Sequence, residues 1–452
     1  MTLPPKPESR PAKVSLWRYA RLFRQDILSA QPARLYRAWM AEFKTPFFRS
    51  YLINQPDLIQ TVLKTRPDEY PKSDRIGEGL RPLLGNSVFL TNGAIWKRQR
   101  RIIDPAFEGG RLRETFPAIW DAAEAAAARL APYDGAPLEV EAQTSHAAAD
   151  VIFRTLFSIP IEPHMAREVF DEFKTYQRSQ PILNIAAFVP LPRWLPRLFR
   201  RDTKRSAAKI RQLITALTTE RMEAIKAGTA PDDLAPKIMT TPDPEDGSTF
   251  TTGEMVDQVA IFFLAGHETS ASALAWAMYL VATHSDWQDR LAEEAQAIDQ
   301  CDFAVMGKLK QSRDVFREAL RLYPPIIMVM RKVLKGFDHG GDHVPEGAMV
   351  FASPAASHRI PEVFKDPDRF DPDRFGPDRQ EHKKHPMSFI AFGAGRHACL
   401  GEAFALLQLR AIWSTLLRNY DFELVEPVYE PDYTRMMVGP RQPCRARYRR
   451  RA

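Results

Sequence analysis

The feature that most restricts what this chain can fold into is one long apolar helix. From about Gly253 to Thr283 the pattern is helical without interruption, and Thr251 with Glu254 makes a capping box at its start. Val259-Ala-Ile-Phe-Phe-Leu-Ala265 is apolar nearly all the way round, so the helix must run through an interior and the rest of the chain must wrap it. A chain of 452 residues, 44 % of them hydrophobic, has the material for such a core. Mid-helix, Ala265-Gly266-His267-Glu268-Thr269-Ser270 breaks two rules at one place. An internal glycine costs about 1 kcal/mol relative to alanine, and a buried charge costs more. Such a coincidence points to function: a local widening in which small residues make room for a ligand, with a hydroxyl at Thr269 and a proton source at Glu268. The plainer alternative is a kinked helix with Glu268 turned to the surface.

The second constraining stretch is Phe392-Gly-Ala-Gly-Arg-His-Ala-Cys-Leu-Gly401, which runs into the amphipathic helix Glu402-Ala-Phe-Ala-Leu-Leu-Gln-Leu-Arg. Gly393, Gly395 and Gly401 permit backbone shapes or close approaches that a Cβ would block. Arg396 adds a positive charge three residues before Cys399, and the helix start favours an anion, so a thiolate is expected. One cysteine cannot build a zinc or iron–sulfur centre, but it can be the single protein ligand of an iron held by a macrocycle. The alternative is a structural cysteine after a glycine-rich turn.

Other stretches carry chemistry less openly. Trp96 and Arg100 share one face of the basic helix opened by Trp96-Lys-Arg-Gln-Arg-Arg. Lys97, Arg98 and Arg101 are expected to point to solvent and a partner. Glu318 and Arg321 are one turn apart in a helix stopped by Pro324-Pro325. Apolar residues Ile326 to Met330 lead to Arg331, and Phe47–Ile53, Met349–Ser353, Tyr433–Val438 and Cys444–Tyr448 read as further strands. Glu78 to Leu90 reads as a mixed apolar loop, and Phe170 to Phe188 as an aromatic segment before the Pro190–Pro196 loop.

Composition excludes several classes. No run of 18 apolar residues exists, so no transmembrane helix is expected. The net charge of +7 is spread along the chain without a nucleic-acid motif, and an acidic protein partner is the better explanation. Cys301, Cys399 and Cys444 form no disulfide framework and suit a reducing, cytoplasmic setting. Residues 1–34 are expected to be a mobile proline-rich start followed by a basic amphipathic helix, which can make weak peripheral membrane contact. Residues 35–452 are expected to form one catalytic domain.

Taken together, Trp96-x-x-x-Arg100, Ala265-Gly-x-Glu-Thr269, Glu318-x-x-Arg321 and the Cys399 loop resemble the cytochrome P450 family in kind and order. The resemblance implies a mainly α fold with a small β-rich lobe, and haem b with Cys399 as the axial ligand of its iron. It implies haem contacts from Trp96, Arg100, Ala265, Gly266, Arg331, Phe392, His397 and Gly401. Glu268 and Thr269 would be the catalytic pair. Glu318, Arg321 and Arg374 would be a structural triad. The implied activity is a monooxygenase that puts one atom of O2 into a C–H bond of a hydrophobic small molecule. Its electrons would come from NAD(P)H through a separate ferredoxin or similar acidic donor on the Cys399 side. A peroxide-driven peroxygenase, an isomerase or dehydratase, and a non-enzymatic haem sensor or carrier are the alternatives. Gly395-Arg-His397 and Ala352–Phe364 are similar to sterol 14-demethylases, but Glu268 stands where those usually carry His, and residues 70–90 lack their tyrosine-rich signature. A broader lipid or terpenoid hydroxylase is therefore expected.

Overall fold

The apolar helix is unbroken from Thr252 to Ala282, and Thr251 and Glu254 close the expected capping box. The computed structural model describes residues 3–451 apart from 12, 26–27, 30, 45–48, 163–167, 169–170, 173–174, 177–200, 299 and 435–436. Most of the segment from Phe170 to Pro196, including Phe173, Ile182, Leu183 and Ile185, therefore lies outside the described residues. The longer helices, in chain order, are α1 (Leu16–Gln25), α2 (Asp74–Leu84), α3 (Gly93–Ile103), α4 (Gly109–Leu130) and α5 (Val140–Phe157). They continue with α6 (Arg201–Ala227), α7 (Thr252–Ala282), α8 (Ser285–Gln296), α9 (Lys310–Leu322) and α10 (Glu402–Asn419).

Helix α7 packs along α5 and against α6, while α10 packs along α4 and α8. One large apolar core runs through these helices, with Trp276, Phe316 and Trp413 fully buried. A second, smaller core lies under the β-rich lobe, around Tyr51, Ile53, Tyr70, Val333 and Val350. Its sheet joins β1 (Met40–Lys44) and β2 (Arg49–Ile53) to two strands from far along the chain, β3 (Val329–Lys332) and β4 (Met349–Ala352), in the order β1-β2-β4-β3. The β2–β4 pairing is parallel and the other two are antiparallel. The fold is thus mainly α with a small β lobe, as expected.

Several local expectations change. Asp74–Leu84 is helix rather than loop, because Leu80, Leu83 and Leu84 recur at helical spacing and are buried. Tyr433 to Val438 is not a strand among its described residues; only Pro431–Asp432 and Gly439–Pro440 pair there. Arg445–Arg450 is a strand, Arg449 pairs with Glu423 at 2.9 Å, and Arg451 pairs with Asp421. At the start of the chain Pro4 is buried, the Pro5 carbonyl accepts from the buried Tyr323 hydroxyl at 2.8 Å, and Lys6 pairs with Asp368. The prolines there leave an extended backbone that lies along the body. Helix α1 exposes Trp17, Arg18 and Arg21.

Gly266 has a packing role. A Cβ there would sit 2.4 Å from Ile152 Cδ1, so the missing side chain lets α5 and α7 approach. The chain stays in unbroken α-helix through this point.

The Glu318–Arg321 pair is completely buried, with contacts of 2.6 and 2.8 Å, and Arg374 reaches Glu318 at 3.2 Å. Two cations against one anion would leave a buried excess charge. Glu381, which the sequence pattern did not single out, supplies the second carboxylate, 2.8 Å from Arg374. Remaining guanidinium hydrogens go to the carbonyls of His358, Pro367, Arg369 and Lys365. Removing one partner strands the other charges in the interior. We therefore expect Glu318→Gln to lower the unfolding free energy by about 3–5 kcal/mol, measured by urea denaturation. Glu381→Gln should cost a comparable amount, whereas a purely surface role for Glu381 would leave stability within about 0.5 kcal/mol.

Candidate active site

The turn carrying Cys399 is shaped by two glycines rather than three. Gly393 and Gly395 have φ of +72° and +68°, in the left-handed region. At Gly395 a Cβ would also lie 2.0 Å from the Leu63 carbonyl oxygen. Gly401 has an ordinary φ of −89° and open space where a Cβ would stand, so the protein's own packing does not require glycine there. The Cys399 N–H donates to the Phe392 carbonyl at 2.8 Å, which folds the loop back on itself just before α10.

Cys399 is an exposed residue on one side while protein crowds its sulfur on the others. That crowding raises the thiol pKa above its ordinary value. The Gly401 N–H and the more distant Arg100 pull it down, and Glu402 pushes it up. The expected thiolate is therefore not made by the helix start alone, since desolvation outweighs it; a coordinated cation would remove the proton. Arg396 is not the charge that acts on the sulfur. It pairs with Asp68 and sits 5.8 Å from the centre of the Trp96 ring.

The opposing element is α7. Gln408, on α10, donates to the Gly266 carbonyl at 3.4 Å and to Ser270 Oγ, tying the two helices together at this level. Leu264, His267 and Ser270 are buried, yet Ala265 between them is exposed, so this turn of an interior helix borders a chamber. Thr269 Oγ1 donates to the Ala265 carbonyl, and Glu268 is half-buried beside it.

Beside the cysteine loop lies a cluster of basic groups around Trp96. The His397 ring is 4.1 Å from the Trp96 ring, and Lys72 and Arg100 lie 5.7 and 5.5 Å from its centre. Lys72 is pushed down to about 7 by burial and by Arg331 and Arg100. Burial lowers Arg331 to about 10, and burial with four neighbouring cations lowers His397 to about 3. Arg100 has Asp104 on its Nε and reaches the Arg396 carbonyl at 3.3 Å. His397 Nδ1 has no hydrogen-bond partner among the described residues. Buried cations that destabilise one another are a site for anions that the protein does not supply. Two carboxylates on the edge of a macrocycle fit this cluster, and a lone soft sulfur fits its metal. Lys72 was not legible in sequence: nothing in Pro71-Lys-Ser73 marks it, and only folding brings it to Trp96.

The basic helix α3 is used differently from expectation. Arg98 donates to Ser248 Oγ at 3.0 Å, to Glu254 at 2.8 Å and to the Thr249 carbonyl. Arg101 binds buried Asp243 through two contacts of 2.7 Å and reaches Glu245. Both are thus committed to the loop before α7 rather than to a partner, and of the three only Lys97 stays exposed.

A sequence model of the family described as Cytochrome P450 matches residues 36–444. The chain belongs to the cytochrome P450 family. It is 33% identical over 383 residues to a cyclooctat-9-en-7-ol 5-monooxygenase of Streptomyces melanosporofaciens, covering 82% of this chain and 80% of that protein. A sterol 14alpha-demethylase of Mycolicibacterium vanbaalenii is 36% identical over 225 residues, which is 48% of this chain and 50% of the relative. A plant relative, cytochrome P450 CYP72A616 of Paris polyphylla, is 28% identical over 408 residues, 86% of this chain and 77% of its own. This P450 is a monooxygenase-class oxidoreductase that uses haem and O2, with NAD(P)H-derived electrons arriving through partner proteins. No described helix is long and apolar enough to cross a membrane.

The depressed Lys72 gives a test without turnover. In the haem-free protein the folded state binds fewer protons than the unfolded state between about 7 and 10.5, so this group makes stability rise with pH across that window. Lys72→Met should flatten that rise in urea titrations of haem-free protein and should speed haem transfer from the holoprotein to apomyoglobin.

Proposed function

We propose that this P450 hydroxylates a hydrophobic lipid or terpenoid-like molecule, using haem b and electrons from a ferredoxin. The observation that carries this reading is the open turn Ala265–Thr269 in a mostly buried helix. The long alignment to a monooxygenase named for an unsaturated alcohol supports an apolar substrate. Similarity to the named sterol 14alpha-demethylase covers only about half of either chain, and Glu268 precedes Thr269, so sterol demethylation is not the favoured reaction.

When bound, the haem supplies O2 activation and transfer of one oxygen atom to a C–H bond. The protein's part is holding and proton supply. Cys399 would hold the iron through its sulfur, and Trp96, Arg100, Arg331, His397 and Lys72 would hold the carboxylates. Ala265, Phe392 and Gly401 would border the ring. Gly266 is better explained by packing against Ile152. Thr269 keeps its hydroxyl hydrogen on the Ala265 carbonyl, which leaves its oxygen able to accept a hydrogen bond from a group in the chamber. Glu268 passes protons inward from beside it.

The donor would approach the Cys399 side. There a recess of about 400 Å³ is lined by Arg317, His382, Lys383, Phe392 and Glu402, and exposed Lys383 and Lys97 would meet an acidic surface. A cytoplasmic setting with weak contact of Trp17, Arg18 and Arg21 to anionic lipid completes the reading.

Thr269→Ala should lower product formed per O2 consumed by roughly tenfold or more, with haem content unchanged. Undiminished coupling would remove Thr269 from proton delivery. Cys399→Ser should lose the thiolate-specific absorption of the carbon monoxide complex together with turnover. A panel of fatty acids, terpenoids, steroids and aromatics, scored by the haem spin-state shift, identifies the substrate class. A reduction rate that does not fall with rising ionic strength would count against an acidic donor.

A further inference from the structure

The cysteine loop is held from behind by a side chain with no place in the chamber. His358 lies six residues beyond β4 and is completely buried. Its own carbonyl accepts from Arg321 of the ionic cluster at 2.9 Å. Its ring reaches the N–H of Ile390, nine residues before Cys399, which donates to Nε2 at 2.9 Å.

A backbone N–H can only donate, so Nε2 must present its lone pair and the ring carries its one hydrogen on Nδ1. Burial, with Arg321 and Arg359 nearby, lowers this imidazole to about 3, so the lone pair stays available. The ring stacks on Phe389 at 4.9 Å and meets Phe364 at 6.3 Å and a steep angle, which fixes its plane. A phenylalanine would stack equally well. What histidine adds is an acceptor for a buried N–H, and a buried donor left without one is costly.

That N–H belongs to the residue from which the loop is folded. The Ile390 carbonyl accepts from the Gly393 N–H at 2.9 Å, closing the turn in which Gly393 takes a φ of +72°. Inside the turn, the Phe392 carbonyl accepts from the Cys399 N–H at 2.8 Å. Ile390 is thus held through both its N–H and its carbonyl, and the turn it starts carries the acceptor for the cysteine.

We propose that His358 is a positioning residue for the Cys399 sulfur: its Nε2 holds the Ile390 N–H and so sets where the turn at Gly393 delivers the cysteine. The assignment rests on the reading of Cys399 as the ligand of the iron. It adds that the ligand's place is set by one neutral imidazole, and not by the glycines of the loop alone.

The bond is read by nitrogen NMR on deuterated, nitrogen-labelled wild-type holoenzyme in the diamagnetic ferrous carbon monoxide form. A scalar coupling between the Ile390 amide nitrogen and an unprotonated His358 Nε2 is expected; a proton on Nε2, or no coupling, overturns the proposal. Two substitutions separate positioning from packing. A glutamine amide oxygen reaches the place of Nε2 and can accept, whereas phenylalanine keeps the stacking and offers no acceptor. In His358→Phe the share of the carbon monoxide complex with the thiolate-specific absorption should fall by about twofold or more at equal haem content, while His358→Gln keeps it. An unchanged spectrum in His358→Phe, or equal losses in the two variants, overturns the positioning role, whatever happens to their urea midpoints. If His358→Phe does not fold, loss of that absorption from folded, haem-loaded His358→Gln overturns the proposal, and its retention together with the wild-type coupling supports it. If wild type shows the coupling but lacks the absorption, the arrangement stands and the reading of Cys399 as iron ligand is what fails.

Discussion

The position of the cysteine loop depends on a buried ionic cluster that touches neither it nor the chamber. Glu318, Arg321, Arg374 and Glu381 balance two carboxylates against two guanidiniums in the dry interior. Arg321 also donates to the carbonyl of His358, whose Nε2 accepts from the N–H of Ile390 at 2.9 Å. The His358 ring stacks on Phe389 at 4.9 Å. From Ile390 the chain turns at Gly393 and delivers the Cys399 N–H to the Phe392 carbonyl. Each link is short, buried and directional, so the location of one sulfur is set by electrostatics on the far side of the loop.

The other wall is fixed in a comparable way. The absent side chain of Gly266 lets α7 lie close on α5, and Gln408 ties α7 to α10. Arg98 and Arg101 anchor α3 to the segment that leads into α7, and Arg98 reaches the capping residue Glu254 itself. With those charges spent on the outer side, Trp96 and Arg100 take the other face of α3 and turn toward the cysteine loop. The basic run is therefore structural on one face and suited to ligand binding on the other.

Two groups of buried charge in this protein contrast. Around Glu318 both cations find a protein carboxylate, and the cluster stabilises the fold only while it is complete. Around Trp96, burial lowers the proton affinity of Lys72, Arg331 and His397, neighbouring cations add to that at Lys72 and His397, and the protein brings no carboxylate to Lys72 or Arg331 among the ion pairs of the described residues. Such an excess is costly in isolation and is relieved by an anionic ligand, which is how a binding site differs from a structural cluster built of the same side chains.

The sequence alone determined the interior helix, its cap, the mainly α fold with a β lobe and the cysteine loop. These follow from periodicity, from a capping box and from residue spacings that are local in the chain. It also paired Glu318 with Arg321, since they are one helical turn apart. Only the tertiary structure decided the rest: that Glu381 completes the charge balance, that Lys72 joins the cations at Trp96, and that Arg98 and Arg101 bind the segment leading into α7. It also decided that Gly266 serves Ile152, that Gly401 is not needed by packing, and that Ser145 meets His267. In each case the partners lie far apart in sequence or the choice depends on which face of a helix is buried. Desolvation, which outweighs the helix start at Cys399, likewise exists only once the chain has closed around the sulfur.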